Sequence, residues 1–212
     1  MSTTISPSLA EVDLAAEDAV ASSLDALAAP GSFFTGAERL AIAAHARVAR
    51  GLASAAPELP AVIAEAARRI SVDAITTRPE HIAAWEADGH DILSYVELVA
   101  VVALVTTIDS YRIGIGAELE TLPPPTPGDP VPVIGEGAAK VNAWVPTVGI
   151  ALAPTALSAL PNESKHKAAL GKPLYLADKV VHQYDVEPGR ELSRMQMELV
   201  ASRTSWLNEC FF

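Results

Sequence analysis

Apolar residues recur at helical spacing along most of this chain, and the breaks between them are sharp. A helical stretch is expected from Ser8 to Leu27 and is broken by Pro30-Gly31. Thr35 followed three residues later by Glu38 is a capping box, and it opens a helix carrying Leu40, Ile42, Ala43, Ala46 and Val48. This helix fades near Gly51 and Pro57. Pro60 opens the next, through Val62, Ile63, Ala66, Ala67 and Ile70. A shorter helix is predicted over Pro79 to Ala87, around Trp85, and Gly89 ends it. Ser94 is the expected cap of a long helix through Leu98, Val102, Val105 and Ile108 to the Gly114-Ile115-Gly116 segment. That helix is apolar on nearly every side, which predicts full burial.

The pattern changes after Leu122. Pro123, Pro124, Pro125, Pro127, Pro130 and Pro132 exclude a helix, so an extended linker is expected over 121–146. Short helices are predicted at 154–160, 162–170 and 174–186. A last helix begins at Ser193, with Gln196 as its capping partner, and carries Met197, Leu199, Val200 and Leu207. The fold class is all-α: an N-terminal extension (1–32), a helical repeat (33–120), the linker, and a second helical segment (147–212).

Composition narrows the partners. The 212 residues carry 15 basic and 26 acidic side chains, a net charge of −11. Such a chain repels nucleic acid and anionic membrane surfaces. No secretory signal stands at the N-terminus. The longest apolar run, Leu98 to Ile108, is closed by Glu97 and Asp109 and falls far short of the roughly 20 residues a span needs. One cysteine, Cys210, excludes an internal disulfide and makes the cytoplasm the default compartment. Glu38 and Glu97 read most simply as helix-start charges. His45, His81, His90, His166 and His182 show no metal-ligand spacing, and His182 stands apart only because it precedes the last helix. Trp85, Trp144 and Trp206 read as packing residues.

The chemistry concentrates in Leu192 to Phe212, LSRMQMELVASRTSWLNECFF. Glu198 precedes Cys210 by twelve residues. This segment resembles the active site of the alkylhydroperoxidase D-like branch of the carboxymuconolactone decarboxylase-like family. In that family a glutamate stands twelve residues before a Cys-x-x-Cys pair, and a histidine follows the second cysteine by four. Tyr95 to Gly116 is similar to the buried helix that closes a repeat of this family, and Pro123 to Pro146 to the connection between two repeats. The segment from Thr35 resembles the segment from Ser193. In that alignment Leu40 stands at the place of Glu198 and Leu52 at that of Cys210, so the first copy looks degenerate.

The resemblance implies a thiol-dependent peroxide reductase, with Cys210 as one of the redox pair and Glu198 as proton acceptor. It implies a peroxide substrate, a thiol or dithiol electron donor, no cofactor or metal, and a homo-oligomer. A reacting cysteine must be a thiolate, and a carboxylate can take its proton. Twelve residues span about 18 Å of unbroken helix, so the two groups meet only if the chain turns between them. Asn208 is a good N-cap, which places a break there and Cys210 in the next first turn, where the helix dipole favours the thiolate. The second cysteine and the histidine fall beyond Phe212, which makes the second repeat incomplete and the 212-residue chain nearly inactive. A fragment, a nonsense stop, or a UGA codon read as termination in place of selenocysteine would each account for this. Two other readings stay open: a catalytically dead helical oligomerisation module, and an enzyme of the decarboxylase branch, which generally lacks the paired cysteines.

Overall fold

In a computed structural model of the chain, residues 13–175, 183 and 192–207 are described. The described residues are all-α, with one two-residue strand pair among them. It divides into two units, residues 1–170 and 171–212.

In the first unit, α1 (Leu14–Ala28), α2 (Gly36–Ala49), α3 (Ala61–Val72) and α4 (Pro79–Ala87) surround α5 (Ile92–Gly114). α1 begins at Leu14, where the Asp13 carboxylate accepts from the amides of Ala15 and Ala16, and residues 8–12 of the stretch expected from Ser8 lie outside the described residues. The Thr35–Glu38 capping box forms on α2. The cap of α5 is Asp91, whose Oδ1 accepts from Leu93 N at 2.8 Å, and not Ser94. Ser94 lies in the first turn instead. Its hydroxyl donates to Asp91 O and accepts from the buried Trp85 Nε1.

α5 is the core. Leu98, Val101, Leu104 and Ile108 are sealed from solvent, with Leu27 of α1, Ile42 of α2, Ala67 of α3 and Trp85 of α4 beside them. α5 is the one helix among the described residues long and apolar enough to cross a membrane, and it is mostly buried inside the protein. α1 belongs to the same core: Val20, Leu24 and Leu27 are buried.

The Pro-rich segment is extended and tied down. Thr126 N donates to Ala28 O at 2.8 Å, Val131 N to Gly31 O at 3.0 Å and Gly135 N to Ala159 O at 2.9 Å. Strands β1 (Ala138–Ala139) and β2 (Thr147–Val148) then pair antiparallel. A 3-10 turn (Ala153–Thr155) and α6 (Pro161–Leu174) stand where short helices were expected at 154–160 and 162–170. Most of the helix expected at 174–186 lies outside the described residues.

The second unit contains α7 (Arg194–Leu207), opened by the predicted Ser193–Gln196 capping box: Ser193 N donates to Gln196 Oε1 and Gln196 N to Ser193 Oγ. The turn near Asn208 and Cys210 itself lie outside the described residues, as does His182.

Candidate functional site

α7 presents Glu198 to solvent. Its side chain is 48% exposed, and its Oε1 stands 2.6 Å from Arg194 Nη2, one turn earlier. The pair follows from the i,i+4 spacing of Arg194 and Glu198 on one helix. Glu198 is therefore a solvated carboxylate, held in place by a guanidinium. Along α7, Met195, Leu199 and Trp206 are exposed and share one face. Trp206 and Trp144 are not packing residues in this structure; of the three indoles Trp85 alone is sealed, edge-on to Tyr95 at 5.2 Å.

A second charged site lies in the first unit. Arg39 of α2 is buried, and its Nη1 donates to Glu97 Oε1 at 2.5 Å and to Glu163 Oε1 at 2.8 Å. Its Nη2 reaches Glu163 Oε2 at 3.2 Å. The other oxygen of Glu97 accepts from Phe33 N at 2.7 Å. One guanidinium thus joins α2, α5, α6 and the turn after α1. Gly31 makes room for it: a Cβ there would lie 1.8 Å from Glu97 Oε1. Glu97 is a buried ligand of Arg39, not the helix-start charge expected for it. Its position within the first turns of α5 suggested dipole compensation, but that side of α5 is covered and the carboxylate needs a cation there.

The two carboxylates are held apart in acidity. Burial pushes Glu97 above its ordinary range; Arg39 opposes this, and the nearby Glu163 adds to it. Glu163 lies below the ordinary range. Burial alone would raise it, but His166 and Arg39 outweigh that. His166 Nδ1 stands 3.8 Å from Glu163 Oε2, one helical turn away. Arg39 is held above its ordinary value: burial opposes its charge and the two carboxylates prevail. A small cavity of about 240 Å³ adjoins the group, edged by Asp129, Asn162 and His166.

Compared with family models, with curated proteins and with solved structures, the chain matches none.

A third cluster closes the far end of α5. Asp109 is buried against Arg47, with contacts of 2.7 and 3.1 Å, and Arg47 Nη1 also donates to Glu120 O. Arg112 bridges Glu17 and Glu120. Among the described residues no group of three His, Cys, Asp or Glu side chains gathers as a metal site. The buried ion pairs were the groups that sequence reasoning missed. One signal was available: Glu97 and Asp109 bracket an apolar run on a helix predicted to be buried all round, so each required a partner.

Proposed function

We propose that the protein is a thiol-dependent peroxide reductase of the alkylhydroperoxidase D-like type, with Cys210 as a redox cysteine and Glu198 as its proton acceptor. The observation that carries this reading is the motif itself: Glu198 on a helix with a complete capping box, twelve residues before the only cysteine. Glu198 takes the thiol proton, and the Cys210 sulfur attacks one oxygen of the peroxide. The S–O bond forms, the O–O bond breaks, and the alkoxide leaves as the alcohol. A donor thiol then displaces water from the sulfenic acid, and a second donor thiol releases Cys210. The balance is one peroxide and two thiols to one alcohol, one water and one disulfide. In this scheme both donor thiols are supplied by the electron donor. A reducing, cytoplasmic setting and a homo-oligomeric assembly belong to the same reading, without nucleic acid or membrane partners.

The test is mass spectrometry of Cys210 during exposure to hydrogen peroxide, with sulfenic acid trapped as it forms. The folded chain should oxidise faster than the urea-unfolded chain, and Glu198→Gln should remove the difference. Equal rates folded and unfolded would overturn the proposal.

One observation favours a second reading, a helical oligomerisation module: the exposed Met195, Leu199 and Trp206 face of α7. It expects concentration-dependent assembly, lost on Leu199→Asp, and a Cys210 no more reactive than a free thiol.

A further inference from the structure

A cavity of about 530 Å³ opens between α3, α4, α5 and the segment around Trp144. This is the size of a small-molecule site, and its walls are largely apolar, among them Ile70, Ile82, Val99 and Leu157. Two residues of its wall carry buried hydroxyls without a hydrogen-bond partner, Tyr95 Oη and Thr77 Oγ1. Tyr95 is 4% exposed and fixed by its edge-on contact with Trp85, so the hydroxyl cannot swing out to water. Thr77 and Arg69 both act on the same phenol, but neither meets it in hydrogen-bond geometry, and Arg69 Nη2 is engaged by Glu65 Oε1 at 2.7 Å. A buried hydroxyl left unmade costs about 1–3 kcal/mol, which is tolerated where a ligand supplies the bond.

We propose that this cavity binds a small, mostly apolar molecule carrying one hydrogen-bond-accepting oxygen, a carbonyl or a carboxylate, which accepts hydrogen bonds from the Tyr95 and Thr77 hydroxyls. Both hydroxyls can donate, and the guanidinium of Arg69 favours an acceptor over a donor there. The chain of the ligand lies along Ile70, Val99 and Leu157, and Trp144, a half-exposed residue of the cavity wall, covers it. The site is independent of Cys210 and of the peroxide-reductase reading.

The experiment is titration calorimetry of the full chain with octanoate and with 2-octanone, in parallel with Trp fluorescence. At least one of the two should bind saturably at one per chain, and the tighter one identifies the head as acid or carbonyl. Tyr95→Phe, which removes only the hydroxyl, should weaken that binding about five- to tenfold, the worth of one hydrogen bond. Ala156→Phe should abolish it by filling the cavity. If circular dichroism shows that Tyr95→Phe does not fold, Thr77→Val gives the same reading of the head. No saturable binding of either probe, or affinities unchanged by loss of the hydroxyl, would overturn the proposal.

Discussion

Replacing Arg39 with methionine is the severest test of how the first unit is held together. The side chain keeps its length and much of its apolar contact, so what is lost is the charge. Arg39 is 1% exposed and makes contacts of 2.5, 2.8 and 3.2 Å to two carboxylates that are themselves sealed. Removing one partner of a buried pair costs about 3–5 kcal/mol. Here the loss strands two like charges, so the upper end of that range applies. The penalty has a definite pH signature. Glu97 already lies above its ordinary range, and loss of the guanidinium raises it further and removes one of the two groups that hold Glu163 down. A carboxyl raised in this way supports folding below its unfolded pKa and loses that support as pH rises through its folded pKa. Arg39→Met should therefore be nearest to wild type at about pH 4 and weakest at pH 7. The triple variant Arg39→Met, Glu97→Gln, Glu163→Gln should recover most of the loss, because no charge is left buried. Urea unfolding followed by circular dichroism at several pH values reads all three chains. A loss under about 1 kcal/mol at pH 7, or one independent of pH, would refute the reasoning.

Other substitutions probe separate parts of the account. Gly31→Ala forces a methyl group to within 1.8 Å of Glu97 Oε1, and should lower stability in urea by at least about 2 kcal/mol by opening the Arg39 cluster. Asp91→Ala removes the true cap of α5 and should cost about 1 kcal/mol, whereas Ser94→Ala should cost less, since Trp85 Nε1 keeps its 3.0 Å bond to Asp91 O; thermal melts of the two variants decide it. Glu17 is held below the usual carboxylate range by its hydrogen bond and attraction to Arg112, against a smaller opposing effect of burial. Its contribution is present above about pH 4.3 and is lost as pH falls through the lower folded value, so Glu17→Gln should flatten the acid limb of the stability profile.

Much of the fold was legible because helix ends are local. The Thr35–Glu38 and Ser193–Gln196 boxes, Pro79 at the start of α4 and the prolines after Leu122 each act within a few residues, and the structure repeats them. Ser94 misled because Asp91 is an equally good cap three residues earlier, and the choice depended on Trp85, which needs Ser94 inside the first turn. The Arg39–Glu97–Glu163 cluster was not legible as a cluster. Its members lie 58 and 124 positions from Arg39, and charge patterning along one helix says nothing about a pairing across three. The sign of a problem was still present in Glu97 and Asp109 on an all-apolar helix. The Tyr95 cavity left no sequence signal, since an alternating run of valine, alanine and leucine with one tyrosine reads only as core. The candidate redox motif was legible as spacing; its exposure and the Arg194 partner of Glu198 were not.

In the proposed peroxide reductase, Glu198 and the local fold activate Cys210. The most direct measurement is the rate of Cys210 alkylation by iodoacetamide across pH 5 to 10, folded and in urea, with and without Glu198→Gln. An activated cysteine should react as thiolate at lower pH in the folded chain than in urea, where a free thiol ionises near about 8.5, and the substitution should change the folded profile alone. Superimposable folded and unfolded profiles would contradict the account.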